Sequence, residues 1–264
     1  MKKIIVPLLM SLAAISCSQP ESDPATVATT APDVEVDVFV AALENPARPE
    51  SDRGRDAGRQ PAAVLEFFGI APGMAVLDMF SGGGYYTEII AGVVGPEGRV
   101  VAHSNKAYLQ FVGEEFEARH ADGRLPNVDV LMAENNELEL DENQFDAVMM
   151  VLSYHDTYWV APDRGWPEFD RPKLLAELYA AMKPGGVMAV IDHQAEPGSP
   201  GESGGQVHRI DRAIVVADFE QAGFVLEDES DLLRNPEDDY SKGVFDPAVN
   251  GKTDRFMLKF RKAE

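Results

Sequence analysis

The stretch VLDMFSGGGYYTEII, Val76 to Ile90, constrains the fold more than any other part of the chain. An apolar run ends at Asp78 and passes through Gly82, Gly83 and Gly84 into a segment with helical spacing that begins at Tyr85. Glycines there permit positive φ and close backbone approach, and the helix start presents free N–H groups and a positive dipole end. A strand, a glycine turn and a helix in this order form the layout that holds a nucleotide-like ligand, with Asp78 at the carboxyl end of the strand, where open α/β sheets bind theirs.

The remaining pattern extends this unit. Short runs rich in Val, Met, Ile and Leu (MAVLDMF, RVVAHS, VDVLMAE, FDAVMMVLSYHD, VMAVIDH) alternate with amphipathic segments (YYTEIIAGVVG, AYLQFVGEEFEARH, PKLLAELYAAMKPGG). Near-continuous apolar strands separated by helices are what a parallel sheet covered on both faces requires. The spacing therefore predicts a doubly wound, mostly parallel α/β domain. Pro184 and Gly185 mark the end of the helix before the fifth strand. After the helical segment DRAIVVADFEQAGF, two strands, VLEDESDLL and DRFMLKFRK, follow with no helix between them, which predicts an antiparallel pair at one edge and seven strands in all. Upstream, VDVFVAALEN and RDAGRQPAAVLEFFGI each carry apolar residues at helical spacing, the second ending at Gly69.

The N-terminus carries Lys2 and Lys3, the apolar stretch Ile4 to Ile15, and small residues before Cys17, the parts of a secretory signal. The apolar stretch is shorter than the roughly twenty residues a membrane-spanning helix needs. Ala14-Ile15-Ser16-Cys17 resembles the lipobox of bacterial lipoproteins, in which the cysteine is lipidated. The expected organisation is a signal with lipobox over 1–17, a disordered tether over 18–33, and one domain over 34–264. That resemblance, with Ser18 after the cysteine, implies export to the periplasmic side and a lipid anchor in the outer membrane through Cys17. Cys17 is the one cysteine, so no internal disulfide forms. A formal charge of −22 without a Lys/Arg cluster argues against binding nucleic acid or anionic lipid through a basic face.

Taken together, VLDMFSGGG, ENQFDAVMMV and MKPGGVMAVID resemble the motifs of the class I S-adenosylmethionine-dependent methyltransferases. GGGYYTEI, YHD, DH, HRID, AGF and TDRF are similar to a group of exported or predicted bacterial methyltransferases. The resemblance implies a Rossmann-like methyltransferase fold over the domain, S-adenosylmethionine as cofactor and a small-molecule or envelope substrate. It implies cofactor contacts from Asp78, Ser81, Gly82, Gly84 and Tyr85, with Asp78 toward the cationic amino acid end. Phe80 stands in place of the family's first glycine. Where most members end the second strand with a ribose-binding acid, this chain offers His103, Ser104 and Asn105; a neutral bond from Asn105 is roughly half as strong as a charge-assisted one. Glu134 and Asn135 fall where the family often places an acid for the adenine amino group.

Three of the five histidines fall in loops at the carboxyl edge of the sheet: His155 with Asp156, His193 with Asp192, and His208 with Arg209. His155 or His193, oriented by Asp156 or Asp192, could take the proton a methyl acceptor must lose. This makes His155, Asp156, His193 and His208 the candidate catalytic residues. Three imidazoles and a carboxylate would also suit a transition metal, although no short motif such as HExxH supports one and no ligand is assigned. Their side chains could instead bond only loop backbones. The functions left open are methyl transfer, a repurposed non-catalytic lipoprotein, and a metal-dependent hydrolase or lyase. Arg55 and Arg59, with Asp56 between them, form either a cap for the cofactor carboxylate or an ion-pair network. Trp159 and Trp166, in the long loop YWVAPDRGWPEF, form either a substrate wall or packing over the sheet.

Overall fold

The structure is a computed structural model that describes residues 37–263. The expected signal and tether lie outside those residues, as does the start of the expected domain. Seven strands form one sheet in the order β3-β2-β1-β4-β5-β7-β6. Strands β1 (Ala75–Met79), β2 (Arg99–Ser104), β3 (Val128–Met132), β4 (Phe145–Val151) and β5 (Met182–His193) run parallel. β7 (Arg255–Arg261) is antiparallel to both β5 and β6 (Val225–Ser230). The predicted terminal pair is present, with β7 inserted between β5 and β6.

Alternation along the strands explains why both faces are covered. Val76, Val100, Ala147, Met149, Ala189 and Ile191 enter one core with α1 (Val38–Glu44), α3 (Pro61–Phe68) and α4 (Tyr85–Val94). Their neighbours Leu77, Val101, Val148, Met150 and Val190 enter a second core with α6 (Arg171–Ala181) and α8 (Arg212–Gln221). Successive side chains of a strand point to opposite faces, so an apolar residue at every position feeds two cores.

Two boundaries differ from the sequence reading. RDAGRQPAAVLEFFGI is not one helix: α2 (Glu50–Arg59) ends at Gln60, which takes φ 44°, and Pro61 opens α3. Proline lacks the N–H and crowds the preceding turn, so it starts a helix rather than continuing one. The helix before β5 ends at Ala181, ahead of Pro184 and Gly185, and the assigned strand begins at Met182.

Candidate active site

α4 starts at the glycine turn with Gly84 as its N-cap at φ 80°. The reason for glycine lies beneath the turn: a Cβ on Gly84 would sit 2.6 Å from Arg119 Cδ. Arg119, in α5 (Lys106–His120), donates from Nε to the Gly83 carbonyl at 2.6 Å and pairs with buried Glu88 of α4 and Asp52 of α2. Arg124 adds a second cation to Glu88. Asp78 is buried and accepts from the Thr87 hydroxyl at 2.6 Å. Burial pushes its carboxyl up to about 6, against the Thr87 hydrogen bonds and the charge of Arg119.

His103 is a framework residue. Its Nε2 lies 3.0 Å from the Ala133 carbonyl and its Nδ1 accepts from Phe80 N–H, a pairing that fixes the tautomer. Burial lowers it to about 4 against the bond to Ala133, so it folds neutral. The unfolded histidine titrates near 6.5 and binds the extra proton. Stability from this group is therefore full above about 6.5 and lost as pH falls toward 4, by on the order of 3 kcal/mol. Chemical denaturation of wild type and His103→Gln between those pH values checks this: the variant's stability is expected to change less with pH.

A cavity of about 1470 Å³ opens along the carboxyl edge of the sheet. Asp78, Ser81, Gly82 and Tyr85 line one end; His155, Asp156, His193 and His208 line another part of the same wall. Gly84 lies under the turn rather than on the wall. Asn105, Glu134 and Asn135 also stand off the wall. Asn105 caps α5 by accepting from Tyr108 N–H and donates to Asn135, and both amides are buried. Glu134 is half exposed beside Lys106 at 3.5 Å. On that side the cavity is bounded by Phe80, Tyr108, Phe111 and Glu115. Phe80, at φ 55°, stacks on Tyr108 with centroids 5.4 Å apart.

The histidines are tightly placed. His155 N–H donates to Asp192 Oδ2 at 2.8 Å, and its Nδ1 lies 2.7 Å from Asp192 Oδ1. Burial opposes charge on His155, but Asp192 and Asp156 outweigh it and push the imidazole up to about 9. Tyr108 donates to Asp156 Oδ2 at 2.6 Å. His193 Nδ1 lies 2.7 Å from the Thr253 hydroxyl, and burial together with His155 keeps it neutral. His208 ends the short helix α7 (Ser203–Val207) at φ 55°. Gly204 and Gly205 allow that helix to approach, since a Cβ on either would strike the His155 carbonyl or Trp159.

Both upstream alternatives meet in the structure. Asp56 is held by Arg48 and by the Tyr85 hydroxyl, while Arg55 pairs with Asp52. Arg59 instead stacks on the Tyr85 ring at 4.6 Å and lines the cavity with Arg255. Trp159 and Trp166 line it too, and Trp166 is also packed in the core. Sequence reasoning missed Tyr108, Arg119 and Arg255; their positions in helix and strand patterns carry no sign of partners far along the chain.

The family model for protein-L-isoaspartate(D-aspartate) O-methyltransferase matches residues 54–150, the part that contains the glycine turn and β1 to β4. A ubiquinone/menaquinone biosynthesis C-methyltransferase of Hydrogenovibrio crunogenus is 30% identical over 129 residues, covering 49% of this chain and 46% of that protein. The chain thus spans about half the length of the curated relatives it matches. Among solved structures, a SAM dependent methyltransferase from Aquifex aeolicus superposes with TM-score 0.53 at 24% identity, over 77% of this chain and 89% of that one. The [4+2]-cyclase SpnF does so with TM-score 0.54 at 19% identity, over 78% and 82%. These structural likenesses show the fold alone, and the cyclase illustrates that a fold does not fix a reaction. Strand order, glycine turn and these likenesses together give the chain the fold of the class I S-adenosylmethionine-dependent methyltransferases.

Proposed function

We propose that the protein transfers a methyl group from S-adenosylmethionine to a small, ring-bearing acceptor of the cell envelope, with quinol-like rings the first class to test. The observation that carries this reading is the single cavity that joins the glycine turn to the histidine wall. The amino acid end of the cofactor fits the chain: Asp78 meets its ammonium, the turn at Ser81, Gly82 and Gly83 gives close backbone approach, and Arg59 and Arg255 are cations for its carboxylate. When bound, the cofactor supplies an electrophilic methyl on its sulfonium. The adenosine end would rest on Phe80, Phe111 and Glu115 rather than on Asn105, Glu134 and Asn135. Trp159, Trp166 and Phe245 give the acceptor an apolar wall, and neutral His193 offers it a base. The quinone C-methyltransferase relative favours a ring acceptor, and the N-terminal signal and lipobox favour the outer membrane's periplasmic side with Cys17 as anchor.

The test is incubation of the full chain with methyl-labelled cofactor and demethylated quinols, followed by mass spectrometry. A singly methylated quinol that Asp78→Asn reduces at least tenfold is expected; absence of labelled product from every quinol would overturn this acceptor class. Asp78 also sets a pH dependence. A protonated carboxyl cannot pair with an ammonium, so affinity for S-adenosylhomocysteine is expected to fall as pH drops below about 6. Calorimetric titrations on either side of that value, with Asp78→Asn as the flat control, read it directly.

A further inference from the structure

His155 Nε2, Asp156 Oδ1 and His208 Nδ1 form a triangle whose three edges are each 3.3 Å. Among the described residues, these three bring histidine and carboxylate ligand atoms within 4.8 Å of one another. Asp156 Oδ1 is buried and has no hydrogen-bond donor, although its other oxygen is satisfied by Tyr108. A buried carboxylate oxygen that faces two imidazole nitrogens at 3.3 Å, outside good hydrogen-bond geometry, is a charged acceptor that a cation among the three atoms would satisfy. We propose that this triangle is a binding site for a divalent transition metal of the zinc type.

The geometry fits such an ion. An ion about 2.1 Å from each atom would subtend angles near tetrahedral across edges of this length. Two imidazoles and one carboxylate suit zinc or its first-row neighbours, whereas magnesium and calcium favour all-oxygen shells. The surrounding contacts prepare the ligands. Asp192 holds His155 through Nδ1, which directs Nε2 at the triangle, the carboxylate–histidine arrangement typical of metal sites, and a metal bound there would displace the Nε2 proton. Tyr108 orients Asp156, and the closely packed Gly204 and Gly205 set His208 against His155. All three ligands line the cavity, so the remaining coordination positions would face its interior. An oxygen of the acceptor could occupy one, which would lower the pKa of a hydroxyl there. His155 Nε2 and His208 Nδ1 are also within hydrogen-bond reach of each other. A shared proton is the alternative occupant of the triangle.

The site does not depend on the methyl-transfer reading, because metal binding is measured without cofactor or acceptor. The full chain is stripped with chelator, dialysed and titrated with zinc by calorimetry, with metal content and thermal melting measured on the same samples. The expected result is one zinc per chain at micromolar or tighter affinity and a raised Tm. His208→Ala and Asp156→Asn each lose saturation and the Tm rise, and Asp192→Asn weakens binding 10- to 100-fold. His120→Ala, remote from the cavity, keeps both. Melting of the stripped variants shows whether they fold; should His208→Ala fail to fold, the Asp156→Asn titration decides. Absence of stoichiometric zinc in the wild type, or equal binding in the folded ligand variants, would overturn the site and leave a proton-sharing cluster.

Discussion

Replacing Arg119 with leucine is expected to destabilise the domain by about 3 kcal/mol, the low end of the cost of breaking a buried ion pair from one side, because both carboxylates keep a second cation. Arg119 is nearly fully buried and joins α2, α4, α5 and the turn carbonyl of Gly83. Without it, Glu88 keeps Arg124 and Asp52 keeps Arg55, but the Gly83 carbonyl loses its donor. The turn then has no fixed support under Gly84, so weakened S-adenosylhomocysteine affinity should accompany the lower urea midpoint. A variant with unchanged midpoint and affinity would show that the arginine is dispensable to the turn.

Arg209→Met should have an effect at least as large on the opposite side of the site. Arg209 is fully buried, makes a two-point ion pair with Asp238, and donates to the carbonyls of Gln194 and Lys242. It follows His208 directly, and the segment it grips leads to the cavity residues Val244, Phe245, Lys252 and Thr253. Asp238 would retain only the backbone N–H groups of Tyr240 and Asp254, an incomplete shell for a buried charge. A loss of about 3–5 kcal/mol in denaturant titration is expected. Arg209→Met with Asp238→Leu should recover part of it, because the orphaned carboxylate is then gone. No recovery in the double variant would mean that the carbonyl bonds, rather than the ion pair, carry the contribution.

These two arginines show what the sequence makes legible and what it hides. Strand apolarity, the helix between each pair, and the glycine turn follow local rules, so the sheet, its direction and the position of Asp78 can be read in order. The strands' carboxyl ends also bring His155, His193 and His208 to one edge without any need for contacts. Pairing across the chain does not announce itself. Arg119 sits in EARH, which reads as the charged end of a surface helix, and its partners lie 31 and 67 residues away at Glu88 and Asp52. Asn105, Glu134 and Asn135 occupy the positions that spacing assigns to ribose and adenine contacts. Helix capping and an amide pair hold the two asparagines off the cavity, because a buried amide is satisfied first by whatever is nearest. The break at Gln60 was legible in Pro61, and the helical spacing on either side of it obscured the signal.

The glycine-turn end of the cavity is the cofactor site on which the proposed activity depends. Titrating the full chain with S-adenosylhomocysteine by calorimetry, at neutral pH, tests it. One site of micromolar affinity, about −8 kcal/mol, that Asp78→Asn weakens markedly is the result predicted. No binding at millimolar ligand, or binding that Asp78→Asn leaves untouched, would contradict the assignment and mean that a methyltransferase-like fold serves another ligand here.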